Sequence, residues 1–366
     1  MSATLKEAER VMTICNACRY CEGFCAVFQA MELRRTFTQE DLKYFANLCH
    51  NCRGCYYACQ YAPPHEFDLN CPRTMGKLRQ ETYEEFCKPK LFSGLFRKNG
   101  WVLTLLTLFC MTLVLIFALQ HNGMTALFTS YTGDNAFYKI IPYNWMVYPM
   151  MLIAAGIVFV FIQSGIMFWK KTGGSKEVIT DPKAHLQAVK DVMRLKYLDG
   201  GGHGCNYPDD RFSMIRRWFH HATFYGFGLC LAATTFAAFY DHILHIPSPY
   251  PVMSLPVIFG TIGGVMLSFG TAGLLYLKIK MDRVPSTPEA MGMDAGFIVL
   301  LSLTAISGLF LLILRATPLM GITLVAHLGL VMALFISMPY GKFVHALYRY
   351  LALVRHSAEQ AENNDS

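Results

Sequence analysis

Up to Lys98, charged and apolar residues are closely mixed; beyond it they separate into blocks. Six stretches carry no Asp, Glu, Lys or Arg: 101–119, 143–169, 218–240, 256–277, 295–314 and 319–340. Each is close to the ~20 residues that take a helix across ~30 Å of hydrocarbon. Trp101, Trp169 and Trp218 stand at segment ends, where interfacial anchors belong. The pattern predicts six transmembrane helices. Ahead of them, Phe28, Met31, Leu42, Phe45 and Leu48 recur at helical spacing, and "TQED" at Thr38–Asp41 reads as a helix start with acids in its first turn. The N-terminal region is therefore predicted to be helical, with little room for strands.

Charge then orients the chain. Of its 366 residues only 16% are charged, and mean hydropathy is +0.31. Soluble domains hold roughly 25% charged residues. Lys and Arg concentrate before Trp101 ("KPKLFSGLFRKNG"), in the loop from Lys170 to Arg217, and at Lys278, Lys280 and Arg283. The loops between contribute only Lys139, none, and Arg315. The positive-inside rule then places both termini and the two long even loops in the cytoplasm. The start "MSATLKEAER" lacks the apolar region of a cleavable signal, so none is expected. The net charge of +7 reflects this orientation; no basic face with stacking aromatics suggests nucleic acid.

In a reducing cytoplasm, closely spaced cysteines point to metal rather than disulfides. "CNACRYCEGFC" (Cys15–Cys25) and "CHNCRGCYYAC" (Cys49–Cys59) share one spacing, Cys-x-x-Cys-x-x-Cys-x-x-x-Cys. Zinc pairs are usually separated by a longer knuckle. This run is instead the ferredoxin spacing, in which the fourth cysteine of each run binds the other [4Fe–4S] cluster. The predicted sets are Cys15, Cys18, Cys21 and Cys59, and Cys49, Cys52, Cys55 and Cys25. The proline that usually follows the fourth cysteine is missing from both runs, but Cys71-Pro72 carries it, making Cys71 a rival to Cys59. Cys87, Cys110, Cys205 and Cys230 read as packing thiols.

Polar residues in membrane helices are costly and usually functional. His220, His221, His242, His245, His327 and His345 lie in or at the ends of the predicted spans. His327 and His345, 18 residues apart on the last helix, would mark opposite faces of the bilayer, ~27 Å apart. Facing imidazoles are the axial ligands of haem b. The pairs predicted are His345 with His220 or His221 at the inner face, and His327 with His242 or His245 at the outer one, for one or two haems. "GGGHGC" (Gly200–Cys205) reads equally as a linker or as backbone near a cluster or partner. The fold class expected is an all-α membrane protein. A helical di-cluster ferredoxin domain (1–95) precedes a six-helix cytochrome b-like domain (96–350) and a cytoplasmic tail (351–366).

Together, "CNACRYCEGFCAVF", "CHNCRGCYYACQYAPPHEF", "GGGHGCNYP" and "FHHATFYGFGLC" resemble the tricarballylate- and citrate-utilization protein B family over essentially the whole chain. The resemblance implies an electron-transfer component rather than the dehydrogenase itself. It would take electrons from a partner FAD-dependent tricarballylate dehydrogenase and pass them through two [4Fe–4S] clusters and haem to quinone. "AHLGLVMALFISMPYGKFVH" is similar to the last haem-binding helix of nitrate reductase gamma subunits, which implies ligand roles for His327 and His345. A matching gamma-subunit helix has two histidines about three turns apart; here the residue ten after His221 is Leu231. The N-terminal module resembles the helical ferredoxin domains of fumarate reductase and heterodisulfide reductase subunits. Two rivals are a membrane subunit coupling quinol to heterodisulfide or ferredoxin chemistry, and a transporter with a redox-sensing head, for which the glycines of "GTIGGVMLSFGTAG" speak.

Overall fold

A computed structural model describes residues 2–96 and 99–365. Arg97 and Lys98, counted above among the charges before the first span, lie outside the described residues. Among the described residues, the regular structure is helical apart from one hairpin of two two-residue strands. The head comprises α1 (Ala3–Cys18), α2 (Ala26–Glu32), α3 (Gln39–Leu48), the single turn α4 (Gly54–Tyr57) and α5 (Cys71–Phe86). Its helix starts follow local chemistry. The Ser2 hydroxyl accepts from the Leu5 amide, Thr38 and Asp41 form a capping box at the helix start read from "TQED", and Asn70 caps α5 ahead of Pro72.

The six spans expected from hydropathy are α6 (Asn99–Leu127), α7 (Tyr143–Lys171), α10 (Ile215–His242), α11 (Leu255–Lys280), α12 (Met291–Leu314) and α13 (Met320–Ser337). Among the described residues, six helices are long and apolar enough to cross a membrane. Two short helices, α8 (Lys176–Thr180) and α9 (Pro182–Met193), and the hairpin of β1 (Cys205–Asn206) with β2 (Phe212–Ser213), fill the loop between α7 and α10. The glycines of "GTIGGVMLSFGTAG" lie in an unbroken α11 and serve close packing, Gly264 against Leu309 of α12 and Gly263, Gly270 and Gly273 against α10. A Cβ on Gly263 would come 2.8 Å from the Cys230 amide nitrogen, and one on Gly270 would come 2.6 Å from that of Thr223.

The end of the chain departs from expectation. His327 and His345 do not share a helix: α13 stops at Ser337, Met338–Tyr340 form a 3-10 turn around Pro339, and the chain bends at Gly341. A final helix, α14 (Val344–Asp365), then carries His345. Residues 351–365, expected as a tail, are part of this helix, and as far as Glu359 they pack against the head. Arg34 pairs with Asp41 at 2.7 Å and with Glu359; Arg355 pairs with Glu359 at 2.8 Å and Asp41 at 3.1 Å. Tyr348 stacks on Phe168 of α7 at 5.1 Å and packs edge-on against Phe86 of α5 at 5.7 Å. Head, α7 end and α14 thus share one apolar core. Burial of this aromatic face, rather than propensity alone, holds α14 in place.

Candidate redox site

Tight turns gather the cysteines at one end of the head. Arg19 takes a left-handed conformation (φ 55°), its amide donating to the Cys15 carbonyl, and turns the chain after Cys18. Cys25 is the N-cap of α2. In the second run, Asn51 and Arg53 are also left-handed, at φ 54° and 69°, and fold the chain around Cys52 and Cys55. Cys15, Cys18, Cys21, Cys55, Cys59 and Cys71 line a cavity of about 260 Å³. Cys25 lies electrostatically close to Cys49, Cys52 and Cys55, so the first run's last cysteine joins the second run. Burial, then the neighbouring thiols, push the Cys21 and Cys25 thiols well above the ordinary range. Crowded thiols of this kind ionise together only if a strongly cationic group compensates them. Among the described residues, no three such side chains close around the position of a single metal ion. Thiols spread around a cavity suit a cluster better than one zinc ion.

Buried cations surround the second run. The Cys49 carbonyl accepts from Arg79 at 2.5 Å and Arg349 at 2.9 Å; Arg216 donates to the carbonyls of Asn51 at 2.7 Å and His50 at 3.2 Å. Arg53, 1% exposed, donates to the Asp282 carbonyl and the Ser286 hydroxyl. The field of these guanidiniums favours added negative charge at this run. The glycine loop completes its cover. Gly200, Gly201, Gly202 and Gly204 all have positive φ, and a Cβ on Gly201 would come 3.3 Å from the Gly23 carbonyl oxygen. The Asn206 amide donates to the Cys52 carbonyl at 3.0 Å. Of the two readings of "GGGHGC", contact with the cysteine head is the one formed.

Between head and helices lies a cavity of about 370 Å³ that holds His220 of α10 and His345 of α14. Their ring centres are 6.5 Å apart with the planes at 85°. Two imidazoles bound through ~2 Å bonds on opposite sides of one metal would have centres roughly 6 Å apart. The Nδ1 of His345 bonds the Lys342 carbonyl at 2.5 Å, which leaves Nε2 free to ligate. Burial, then Arg349 and Lys342, push His345 well below its ordinary value and keep the neutral, ligating form. The Nδ1 of His220 is buried without a hydrogen-bond partner among the described residues. Arg79, Arg216, Arg349 and Lys342 line the same cavity, as propionate groups would require. The residues present therefore fit a haem.

The other predicted histidines lie elsewhere. His221 stacks on Tyr225 at 5.8 Å and does not line the cavity. His327 lines a second cavity of about 410 Å³ between α10, α11, α12 and α13, with its Nδ1 3.0 Å from the Ser307 hydroxyl. Gly308 gives its ring room, since a Cβ there would come 3.0 Å from the imidazole. His242 bonds the Tyr143 hydroxyl at 3.1 Å, and His245 is left-handed (φ 53°) in the loop after α10. Neither lines the cavity of His327. Sequence reasoning missed the arginine cluster and His50, whose buried ring bonds the Leu48 carbonyl at 2.7 Å. A faint signal existed for Arg349 alone, a charge inside the otherwise apolar "YRYLALV".

Fold and site define a membrane-type helical protein with a cysteine-rich, ferredoxin-like head. Residues 8–85 match the Citrate utilization protein B Fer4-like domain, and residues 97–366 match Citrate utilization protein B. A Citrate utilization protein B from Escherichia coli is 46% identical over 358 residues, covering 97% of this chain and 92% of that protein. The chain belongs to the Citrate utilization protein B family. No solved structure matches it. The Fer4-like head points to iron–sulfur binding and a role in electron transfer.

Proposed function

We propose that this protein reoxidises a partner FAD-dependent, tricarballylate dehydrogenase-like flavoprotein and delivers the electrons to membrane quinone, using two [4Fe–4S] clusters and haem b as one-electron carriers. One observation carries the reading: α14 joins both halves of the site. Its Arg349 holds the Cys49 carbonyl, and one turn earlier its His345 faces His220. Cys15, Cys18, Cys21 and Cys59 would hold one cluster, and Cys25, Cys49, Cys52 and Cys55 the other. His220 and His345 would hold haem, with Arg79, Arg216 and Arg349 neutralising its carboxylates. The head would face the cytoplasm and meet the flavoprotein there, with the helices in the bacterial inner membrane.

The test is spectroscopic. Purified protein should show a haem spectrum over a broad iron–sulfur background. The haem should be reduced by the flavoprotein with tricarballylate and reoxidised by a short-chain quinone. Protein that carries iron but no haem, or haem that the reduced flavoprotein leaves oxidised, would overturn the reading.

A further inference from the structure

The cavity of His327 holds chemistry that the haem site leaves unused. At about 410 Å³ it falls within the ~300–1,000 Å³ of small-molecule sites. Among the described residues, no charged side chain lines it, and His327 is its one histidine. A haem, with two carboxylates and two axial positions, would find one ligand there and no cation. Such a wall admits a neutral, apolar ligand. Phe227 and Leu301 line this cavity and also the one that holds His220 and His345, so the same two side chains stand between them. Leu231, 52% exposed, and Thr234 line it from α10 and also face outward. The cavity therefore opens sideways from within a span, where a lipid-borne ligand would arrive.

Hydrogen bonding singles out one atom in it. The hydroxyls of Thr234, Thr261 and Thr304 each donate to the carbonyl one turn back, at 3.1, 2.7 and 2.8 Å, so their hydrogens are engaged. His327 differs. Its Nδ1 lies 3.0 Å from the Ser307 hydroxyl, which leaves Nε2 for a ligand. The same hydroxyl lies 3.0 Å from the Thr304 carbonyl, so its single hydrogen has two acceptors within reach. Turned to Nδ1, it leaves the ring proton on Nε2, which then donates. Turned to Thr304, it accepts from Nδ1–H, and Nε2 becomes the acceptor. One side chain can thus bond a carbonyl oxygen in one setting and a hydroxyl in the other. Those two groups distinguish a quinone from its quinol.

We propose that this cavity binds the headgroup of the membrane quinone, with Nε2 of His327 on one of its oxygens and entry past Leu231 and Thr234. The proposal rests on the electron-transfer reading above and supplies its exit site. Reduction takes two electrons, arriving singly from the haem site across Phe227 and Leu301, and two protons from water. Both quinone carbonyls become hydroxyls.

Full-length, haem-loaded protein tests it, with His327→Ala, His327→Gln and Gly260→Leu beside wild type. Gly260 lines the cavity, and a Cβ there meets the Ala233 Cβ at an ordinary 3.6 Å, so leucine would fill the space without touching His327. Two quantities are read. One is the rate at which decylubiquinone or menaquinone-1 reoxidises stoichiometrically reduced haem. The other is binding of 2-heptyl-4-hydroxyquinoline N-oxide, a fluorescent quinol analogue, followed by quenching. His327→Ala and Gly260→Leu should keep the haem and its reduction by the flavoprotein. Both should lose about tenfold in reoxidation at low quinone and in analogue binding, on the scale of one hydrogen bond. His327→Gln, whose amide both donates and accepts, should recover part of the loss. Wild-type rates and binding in His327→Ala and Gly260→Leu would overturn the inference, as would loss of haem in His327→Ala. If His327→Ala does not accumulate, Gly260→Leu decides alone. Wild-type haem that neither quinone reoxidises would overturn the underlying reading as well.

Discussion

The two cavities that hold buried histidines are alike in size, about 370 and 410 Å³, and unlike in chemistry. The one beneath the head has two imidazoles facing each other and a rim of arginines and lysines, with Asp294 bridging Lys278 and Lys342. The other has His327 among Leu, Ala and Gly, with Ser307 as the hydrogen-bond partner of its ring. Buried cations are tolerable only where carbonyls or counter-charges meet them. The head supplies those carbonyls, at Cys49, His50 and Asn51; among the described residues, no Lys or Arg lines the cavity of His327. Where head and helices meet, two facing imidazoles thus lie inside a cationic rim, as the proposed haem would require.

The largest expected effect separates the cavities directly. His345→Ala or His220→Ala should abolish most haem binding, whereas His221→Ala and His327→Ala should leave the haem spectrum near wild type. Haem per chain, read from the reduced-minus-oxidised spectrum, is the measurement. Loss in His327→Ala with retention in His345→Ala would reverse the assignment and move the haem to the far cavity.

A smaller effect tests the cationic rim. Arg349→Gln removes a positive charge from the Cys49 carbonyl without adding bulk. The potential of the second-run cluster should fall by on the order of 50 mV, close to a tenfold change for a one-electron couple. Haem content should be less affected than in His345→Ala. A potential unchanged within the error of an EPR titration would mean that the guanidinium field does not reach the cluster.

The smallest effect concerns the clamp that holds α14 to the head. Glu359→Ala leaves Arg34 and Arg355 without one shared carboxylate and should cost about 1–3 kcal/mol, read as a lower unfolding midpoint in detergent. Acid should act on the same clamp. Burial opposes ionisation of Asp41, but its bonds to Thr38 and Arg34 prevail and hold the carboxyl below its ordinary value of 3.8. Its contribution is therefore present above about pH 3.8 and is lost as pH falls through the lower folded value. Asp41→Asn should remove that part of the acid sensitivity.

Much of this organisation was legible in one dimension. Hydropathy alone located six spans, because any residue facing lipid must be apolar whatever its neighbours. "TQED" announced the start of α3, since a capping box is closed within four residues. The two cysteine runs marked the head as ferredoxin-like, because the spacing of such residues is itself a local pattern. The glycines of α11 could not be interpreted until α10 was seen against them.

What only the tertiary structure decided are the relations between distant segments. The pairing of His345 with His220 rather than His221 depends on which face of α10 meets α14, and adjacent helix positions point about 100° apart. Composition marked the end of the chain as polar, yet α14 is a clamp because Tyr348, Leu351 and Arg355 find partners more than a hundred residues away in sequence. The arginines around Cys49 come from α5, α10 and α14, and no linear pattern joins them. Sequence determines local geometry and solvent preference directly, because both are settled within a few residues. Convergence of charges and ligands is settled by packing, which sums over the whole chain.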